Sequence, residues 1–265
     1  MSRKADISHT FAVCAYKESP YLEDCIKSLV AQTVKTNIIV CTSTPCDYIK
    51  NIADKYSLPV YVREGKSDIR DDWNFAYNTA ATDWVTIAHQ DDMYDEEYVR
   101  YLEKRVAELR DVTMFFTDYK PIKHGEHEVR DVNSKIRRFL RIPMKSNLLA
   151  DKTFFKKAIL SLGNSICCPS VTYNKKKLGG NVFTSELKFN IDWETFYKLA
   201  LVKGSFAYVD KPLSYYRVHD GATSMEFIVN HTREIDDTYM FKKFWPGFIV
   251  KIIMCFYKKA YDTYK

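Results

Sequence analysis

The sequence predicts an α/β fold with a mostly parallel central sheet flanked by helices, and three observations carry that expectation. Short apolar runs alternate with segments of helical periodicity from residue 10 to residue 117. Strand, helix and strand in such short order connect by right-handed crossovers, which pair the strands in parallel. With only 8 Gly and 8 Pro in 265 residues, long disordered linkers have no compositional support.

Thr10 to Ala15 reads as a buried strand, and Ser19-Pro20 as the N-cap and first residue of a helix. Leu22, Cys25, Ile26, Leu29 and Val30 then recur at helical spacing. Asn37 to Cys41 is a second strand, and Thr44-Pro45-Cys46-Asp47 opens a helix through Ile49, Ile52, Ala53 and Tyr56. Pro59 to Val62 is a third, short strand, and a helix carrying Trp73, Ala76, Tyr77 and Ala80 leads to the apolar run Trp84 to Ala88. Asp95 to Leu109 is a charged amphipathic helix and Val112 to Thr117 another strand. The polar, basic stretch from Asp118 to Pro143 has little periodicity and reads as an irregular insertion. Ile166 to Tyr173 and Phe206 to Val209 read as strands, with a helix from about Asp192 to Val202 between them.

The totals exclude more than they assign. Hydrophobic content of 46% and charged content of 28% are those of a folded globular chain. A net charge of +6 is modest, and no Arg-rich block or nucleic-acid motif accompanies it, so no nucleic-acid partner is expected. The 7 Cys are scattered without a C-x-x-C pair, which suits reduced thiols and a cytoplasmic setting. No signal peptide or membrane-spanning stretch is legible, since Lys251 interrupts the most apolar run. Residues 226 to 265 form a distinct basic and aromatic tail. Past Pro246-Gly247, Ile249, Ile252, Ile253, Phe256 and Ala260 share one helical face, opposite Lys251, Lys258 and Asp262. Such a helix packs on its own domain or on a second subunit of a homodimer, or lies through 241 to 260 in the inner face of the plasma membrane.

The chemistry concentrates at Ala88-His89-Gln90-Asp91-Asp92, where a buried strand ends in two carboxylates. Open α/β sheets bind ligands at that edge, and paired carboxylates suit Mg2+ or Mn2+. Asp95 is available to cap the next helix, which leaves Asp91 and Asp92 without an evident structural task. Read as an ordinary strand end, His89 is a histidine satisfied by its surroundings.

Four segments in order resemble glycosyltransferase family two, whose members have the GT-A fold, over nearly the whole chain to about residue 225. Phe11 to Glu18, with Leu22, Cys25, Ser28, Leu29 and Gln32-Thr33 behind it, is similar to the family's first strand and helix. Asn74 and His89-Gln90-Asp91-Asp92 fall where the family has an Asn and its DXD-type metal motif. Ile191-Asp192-Trp193-Glu194 resembles the acceptor-side motif, and Tyr216 to Ser224 the closing motif, where a His completes the metal site.

The resemblance implies a GT-A catalytic domain over 1–225, with a nucleotide-binding half to about 118 and an acceptor-binding half from about 119. It implies an inverting, metal-dependent transfer from a nucleoside-diphosphate sugar, UDP-linked in most relatives, to a glycan or lipid-linked hydroxyl in bacterial surface polysaccharide synthesis. Asp192 would be the catalytic base; the local sequence alone reads it equally well as a helix cap. Asp91, Asp92 and His219 would hold Mn2+ or Mg2+. Ala15, Tyr16, Glu18, Thr42, Ser43, Arg70, Asn74 and Asp91 would meet the nucleotide, and Trp193 and Glu194 the acceptor.

Two departures stand out. The family's second strand ends in Asp-Asp-Gly-Ser, whereas Thr42-Ser43-Thr44-Pro45 stands here without a carboxylate. His89 replaces the first Asp of the fuller Asp-x-Asp-Asp form, where it would touch ribose, add a metal ligand or, as the favoured reading, be a satisfied histidine at a strand end. Two rival readings remain. Zinc-dependent sugar N-deacetylases of the LmbE-like group carry Ala-His-Pro-Asp-Asp, and His124-Gly125-Glu126-His127 has their His-x-x-His spacing. A GT-A domain that binds a nucleotide or a partner without turnover is the other.

Overall fold

The computed structural model describes residues 7–123, 126–127, 132–219 and 231–258. Its strands are β1 (His9–Ala15), β2 (Asn37–Thr42), β3 (Val60–Val62), β4 (Trp84–His89), β5 (Met93–Tyr94), β6 (Val112–Lys123), β7 (Glu126–His127), β8 (Val171–Asn174) and β9 (Ser205–Val218). The helices are α1 (Leu22–Val30), α2 (Asp47–Lys55), α3 (Ile69–Thr79), α4 (Tyr98–Ala107), α5 (Val132–Leu140), α6 (Thr153–Ala158), α7 (Lys175–Leu178), α8 (Ile191–Leu201), α9 (Thr232–Lys242) and α10 (Gly247–Tyr257). Short 3-10 turns occupy Ile142–Lys145 and Cys168–Ser170.

One sheet runs in the order β3-β2-β1-β4-β8-β6-β9-β5, with β7 on β6. Its first four members are parallel, as the strand–helix alternation predicts. Beyond β4 the sheet is mixed, because β8 runs antiparallel to both β4 and β6. Alternate residues of β1 enter opposite cores. Phe11, Val13 and Ala15 pack with Val40, Ala88 and the apolar sides of α1, α2 and α4. Ala12 packs with Ile39, Cys41, Val85 and Ile87, under α3, α8 and the two C-terminal helices. Both faces of the parallel half are therefore covered, which explains why its strands read as unbroken apolar runs.

Several expectations need correction. Helix α1 begins at Leu22 rather than at Pro20; Ser19 contributes its carbonyl, which accepts from the Leu22 amide at 3.2 Å. The stretch from 118 is not simply irregular. Strand β6 continues to Lys123 and α5 begins at Val132, because β9 gives β6 a parallel partner along its whole length. The strand expected from Ile166 starts only at Val171, after the 3-10 turn. Strand β9 is 14 residues long, far beyond Phe206 to Val209. Helix α10 turns a different face inward: Val250 and Met254 are buried, with Ile253 and Tyr257 against the core, while Phe248, Ile252 and Phe256 are exposed. No helix among the described residues is long and apolar enough to cross a membrane. The proposed boundary at 225 and the residues beyond 258 lie outside the described residues.

A buried ion pair fastens the second half of the sheet. Arg141 and Asp118 are almost wholly excluded from solvent and joined through Nη2 and Oδ1. A second Arg141 nitrogen, Nη1, donates to the Ser165 carbonyl. The guanidinium also lies over the rings of Tyr119 and Tyr208, at 5.9 and 5.4 Å. Removing one partner of such a pair strands the other charge in the interior. Arg141→Ala is therefore expected to cost about 3–5 kcal/mol, read as a lower urea midpoint with the slope unchanged.

Candidate active site

Strands β1, β2 and β4 end together, since Ala15 pairs with Thr42 and Cys14 with His89. The loops that leave this edge are tied to one another. The Tyr16 amide donates to Gln90 Oε1 at 2.9 Å, and Gln90 Nε2 donates to the Tyr16 carbonyl at 3.0 Å. Lys17 takes a left-handed conformation, φ 52°, and its amide donates to Thr44 Oγ1 at 2.7 Å. Thr42 Oγ1 in turn accepts from the Thr44 amide. Tyr16 and Glu18 are left exposed above the strand ends.

The second strand lacks its own carboxylate, yet one stands beside it. Asp72, from α3, accepts from Ser43 Oγ at 3.0 Å, from Arg63 Nε at 2.7 Å and from Ser67 Oγ at 2.9 Å. Two residues expected at the nucleotide are engaged by the protein itself. Both polar ends of Asn74 are bonded to the Phe183 backbone, at 2.7 and 3.1 Å. The Arg70 guanidinium lies between Asp71 and Glu186, at 3.0 and 3.1 Å.

His89, Asp91 and Asp92 each offer a ligand atom, and these atoms lie within 4.8 Å of one another. Asp92 is 1% exposed; its Oδ1 accepts from the Arg217 amide at 2.8 Å and its Oδ2 is sealed without a hydrogen-bond partner. Asp91 Oδ2 lies 3.1 Å from His219 Nε2. Arg217 completes the frame: its Nε donates to the Asp91 carbonyl at 2.9 Å, and its guanidinium sits 4.4 Å over the Tyr21 ring. The tilted ring of His219 lies 4.9 Å from the same tyrosine.

Burial, and then the charge of Asp91, push Asp92 well above the usual carboxylate range. Burial raises Asp91 as well, but the bond to His219, the charges of His89 and His219 and the bond from its own amide together hold that carboxyl low. His89 is not the satisfied histidine that its place at a strand end suggests. Its Nε2 is buried without a partner, and its ring stacks on Trp73 at 5.2 Å and 19°. Two adjacent recessed carboxylates, an unpaired buried oxygen and nearby imidazole nitrogens make a donor set that fits a divalent cation.

Asp192 is the second residue of α8, after the N-cap Asn190. It does not cap that helix in the usual way: Oδ1 accepts from the next amide, Trp193, at 2.7 Å, rather than from one two or three residues on. Its Oδ2 accepts from Asn164 Nδ2, also at 2.7 Å. Burial pushes the carboxyl up to about 6, against the lowering effect of the Trp193 and Asp192 amides, Asn164 and the charge of Arg137. Burial, and after it the charges of Asp92 and Asp192, raise the Cys167 and Cys168 thiols, so that turn lies near both carboxylates.

The acceptor expectation fails for Trp193 and Glu194. Trp193 is 0% exposed, bonded through Nε1 to the Leu160 carbonyl and packed on Phe241 and Phe244. Glu194 is buried too, and pairs with Lys198 and Lys243 at 3.3 and 3.1 Å. Consecutive helical residues point about 100° apart, so the face that presents Asp192 cannot also present its two successors. Sequence reading missed Asn164, Asp72, Trp73 and Arg217; only Trp73 and Arg217, beside the sequence motifs, carried any local signal. Of the rival zinc motif, His124 and Gly125 lie outside the described residues, as do residues 220–224 of the closing motif.

The profile described as Glycosyl transferase family 2 matches residues 10–177, well over half the chain. Among solved structures, S. aureus TarS 1-349 in complex with UDP-GlcNAc shares 16% identity, covers 94% of this chain and 70% of its own, and has a TM-score of 0.60. The mannosyltransferase PcManGT from Pyrobaculum calidifontis, in complex with GDP-Man and Mn2+, shares 14% identity over 84% of this chain and 61% of its own, with a TM-score of 0.58. No curated protein sequence matches this one. The α/β architecture is thus of the GT-A kind expected, and the chain belongs to glycosyl transferase family 2 as a glycosyltransferase.

Proposed function

We propose that this glycosyltransferase moves a sugar, with inversion, from a nucleoside-diphosphate sugar to a hydroxyl of a glycan or lipid-linked acceptor. The observation that carries the reading is a pair of unlike acidic centres, each close to the Cys167-Cys168 turn that packs on β4, β6 and β9. One is the recessed pair Asp91 and Asp92; the other is the isolated Asp192, whose carboxyl is raised to about 6. The donor is taken to be a UDP-sugar, supported by TarS in complex with UDP-GlcNAc and with UDP. The GDP-Man of the mannosyltransferase keeps a guanine base in view. Ala15, Tyr16, Thr42 and Ser43 line the strand ends where the base and ribose would lie, within the nucleotide-binding half of residues 1–118.

Asp192 accepts the proton of the acceptor hydroxyl as that oxygen bonds to the anomeric carbon and the bond to the diphosphate breaks. A single base and a single displacement give inversion. Asn164 and the Trp193 amide hold the carboxylate in place while leaving it lone pairs for the incoming proton. Asp91 and Asp92, with His219, would hold Mn2+ or Mg2+, which supplies Lewis-acid neutralisation of the diphosphate charge. The Mn2+ in the mannosyltransferase complex supports that choice.

Bacterial surface polysaccharide is the setting we favour, and a lipid-linked acceptor explains the tail. Phe248, Ile252 and Phe256 are 69%, 57% and 67% exposed on one side of α10, with Lys251 exposed among them. A basic, aromatic face of this kind suits an anionic membrane surface.

Asp192→Asn is expected to lower kcat by about 100-fold to 10,000-fold with nucleotide affinity unchanged, as turnover and calorimetry would read. Ordinary turnover in that variant removes Asp192 as the base. Because the base works ionised, kcat/KM should fall about tenfold per pH unit below the carboxyl's value of about 6. Asn164→Ala removes a bond that favours the charged form, so it should move this acid limb to higher pH. Triple substitution of Phe248, Ile252 and Phe256 by Ser should abolish flotation with anionic liposomes while the fold persists. Equal recovery of both proteins in the soluble fraction discards the membrane contact.

A further inference from the structure

His89 has no assigned task in the proposed transfer, yet its surroundings are those of a ligand. It is the last residue of β4, and its ring is fixed by stacking on Trp73. Its Nδ1 lies 3.7 Å from Asp92 Oδ2, too far for a hydrogen bond. Yet the gap is short enough for both atoms to reach one ion at about 2.1 Å each. Asp92 Oδ2 itself is buried and unpartnered, on a side chain only 1% exposed, and His89 Nε2 is likewise unpartnered. A sealed carboxylate oxygen that faces an imidazole Nδ1 beyond hydrogen-bond reach is a costly arrangement unless a cation enters between the two.

We propose that His89 is a nitrogen ligand of the divalent cation held by Asp91 and Asp92, and that it sets the preference of this site for Mn2+ or Co2+ over Mg2+. The inference rests on the metal-assisted function proposed for the chain. Mg2+ is a hard ion that demands oxygen ligands in near-octahedral geometry, whereas imidazole nitrogen favours the later first-row ions. A carboxylate at position 89 would leave His219 as the one nitrogen among the proposed protein donors. The histidine adds a neutral nitrogen instead, and so spares the cluster a third negative charge beside Asp91 and Asp92. Trp73 acts as a positioning residue, since it holds the imidazole plane without touching the ion.

The test compares Mn2+, Co2+ and Mg2+ titrated into the full chain, with and without UDP, for the wild type, His89→Ala, His89→Asp and Asp92→Asn. Thermal melts of each variant verify the fold. The wild type should prefer Mn2+ to Mg2+, and His89→Ala should weaken Mn2+ about tenfold while changing Mg2+ less than twofold. His89→Asp should recover Mg2+ at the expense of Mn2+. Pulsed EPR of bound Mn2+ should show a histidine nitrogen coupling that persists in His219→Ala and vanishes when His89→Ala is added. Unchanged Mn2+ affinity in His89→Ala, with binding lost in Asp92→Asn, would overturn the role of His89 and leave the metal site standing. No binding of any ion by the wild type overturns both.

Discussion

The burial of Asp92 directly beside Asp91 is the constraint on which the cleft depends. Two carboxylates at the end of a covered strand repel each other and lose hydration, and the protein offsets this with only a few contacts. The Arg217 amide bonds Asp92, and the Arg217 guanidinium bonds the Asp91 carbonyl. Arg217 reaches them because β9 runs far enough to pair with β5, Met93 opposite Tyr215. The same extension carries His219 to within 3.1 Å of Asp91. A 14-residue strand is thus what gathers the proposed ligands, separated by more than a hundred residues of sequence.

The second carboxylate is positioned by a different fastening. Arg141, buried against Asp118, holds the Ser165 carbonyl, and the neighbouring Asn164 bonds Asp192. The Cys168–Ser170 turn beyond them packs against β4, β6 and β9, close to both acidic centres. Stability and chemistry are linked through this one segment: the ion pair that secures the sheet's second half also fixes the partner of the proposed base. The cost of burying Arg141 is set against a fixed position for Asp192.

The parallel half of the fold was legible because both faces of β1, β2 and β4 are covered, so hydrophobic runs and helical spacing coincide with real elements. Strand β9 was not, since Asp210-Lys211-Pro212 interrupts its apolar run and its pairing with β6 is long-range. Helix α10 is almost entirely apolar apart from Lys251, so its spacing could not say which side faces inward. At the site, Asp91, Asp92 and Asp192 stood out through their motifs. Trp193 and Glu194 were drawn in by adjacency alone, and helical geometry turns both away. Asn164 and Asp72 are brought in by tertiary contacts that leave no local pattern. His89 was legible as a departure, but its unpartnered nitrogen was not.

Charge accounting explains why a cation would be needed here at all. On the proposed function, the departing diphosphate gains negative charge near the ends of β1 and β4. The arginines near that edge are each matched by acceptors of the protein: Arg63 by Asp72, Arg70 by Asp71 and Glu186, and Arg217 by the Asp91 carbonyl and, at 3.7 Å, Asp24. A guanidinium so engaged would have to abandon one anion to serve another, which yields little net stabilisation. The Asp91 and Asp92 cluster has the opposite imbalance, with carboxylate charge in excess and an unpaired oxygen. An ion bound there cancels that excess and keeps positive charge for the diphosphate, so one ligand resolves both the repulsion within the cluster and the demand of the reaction.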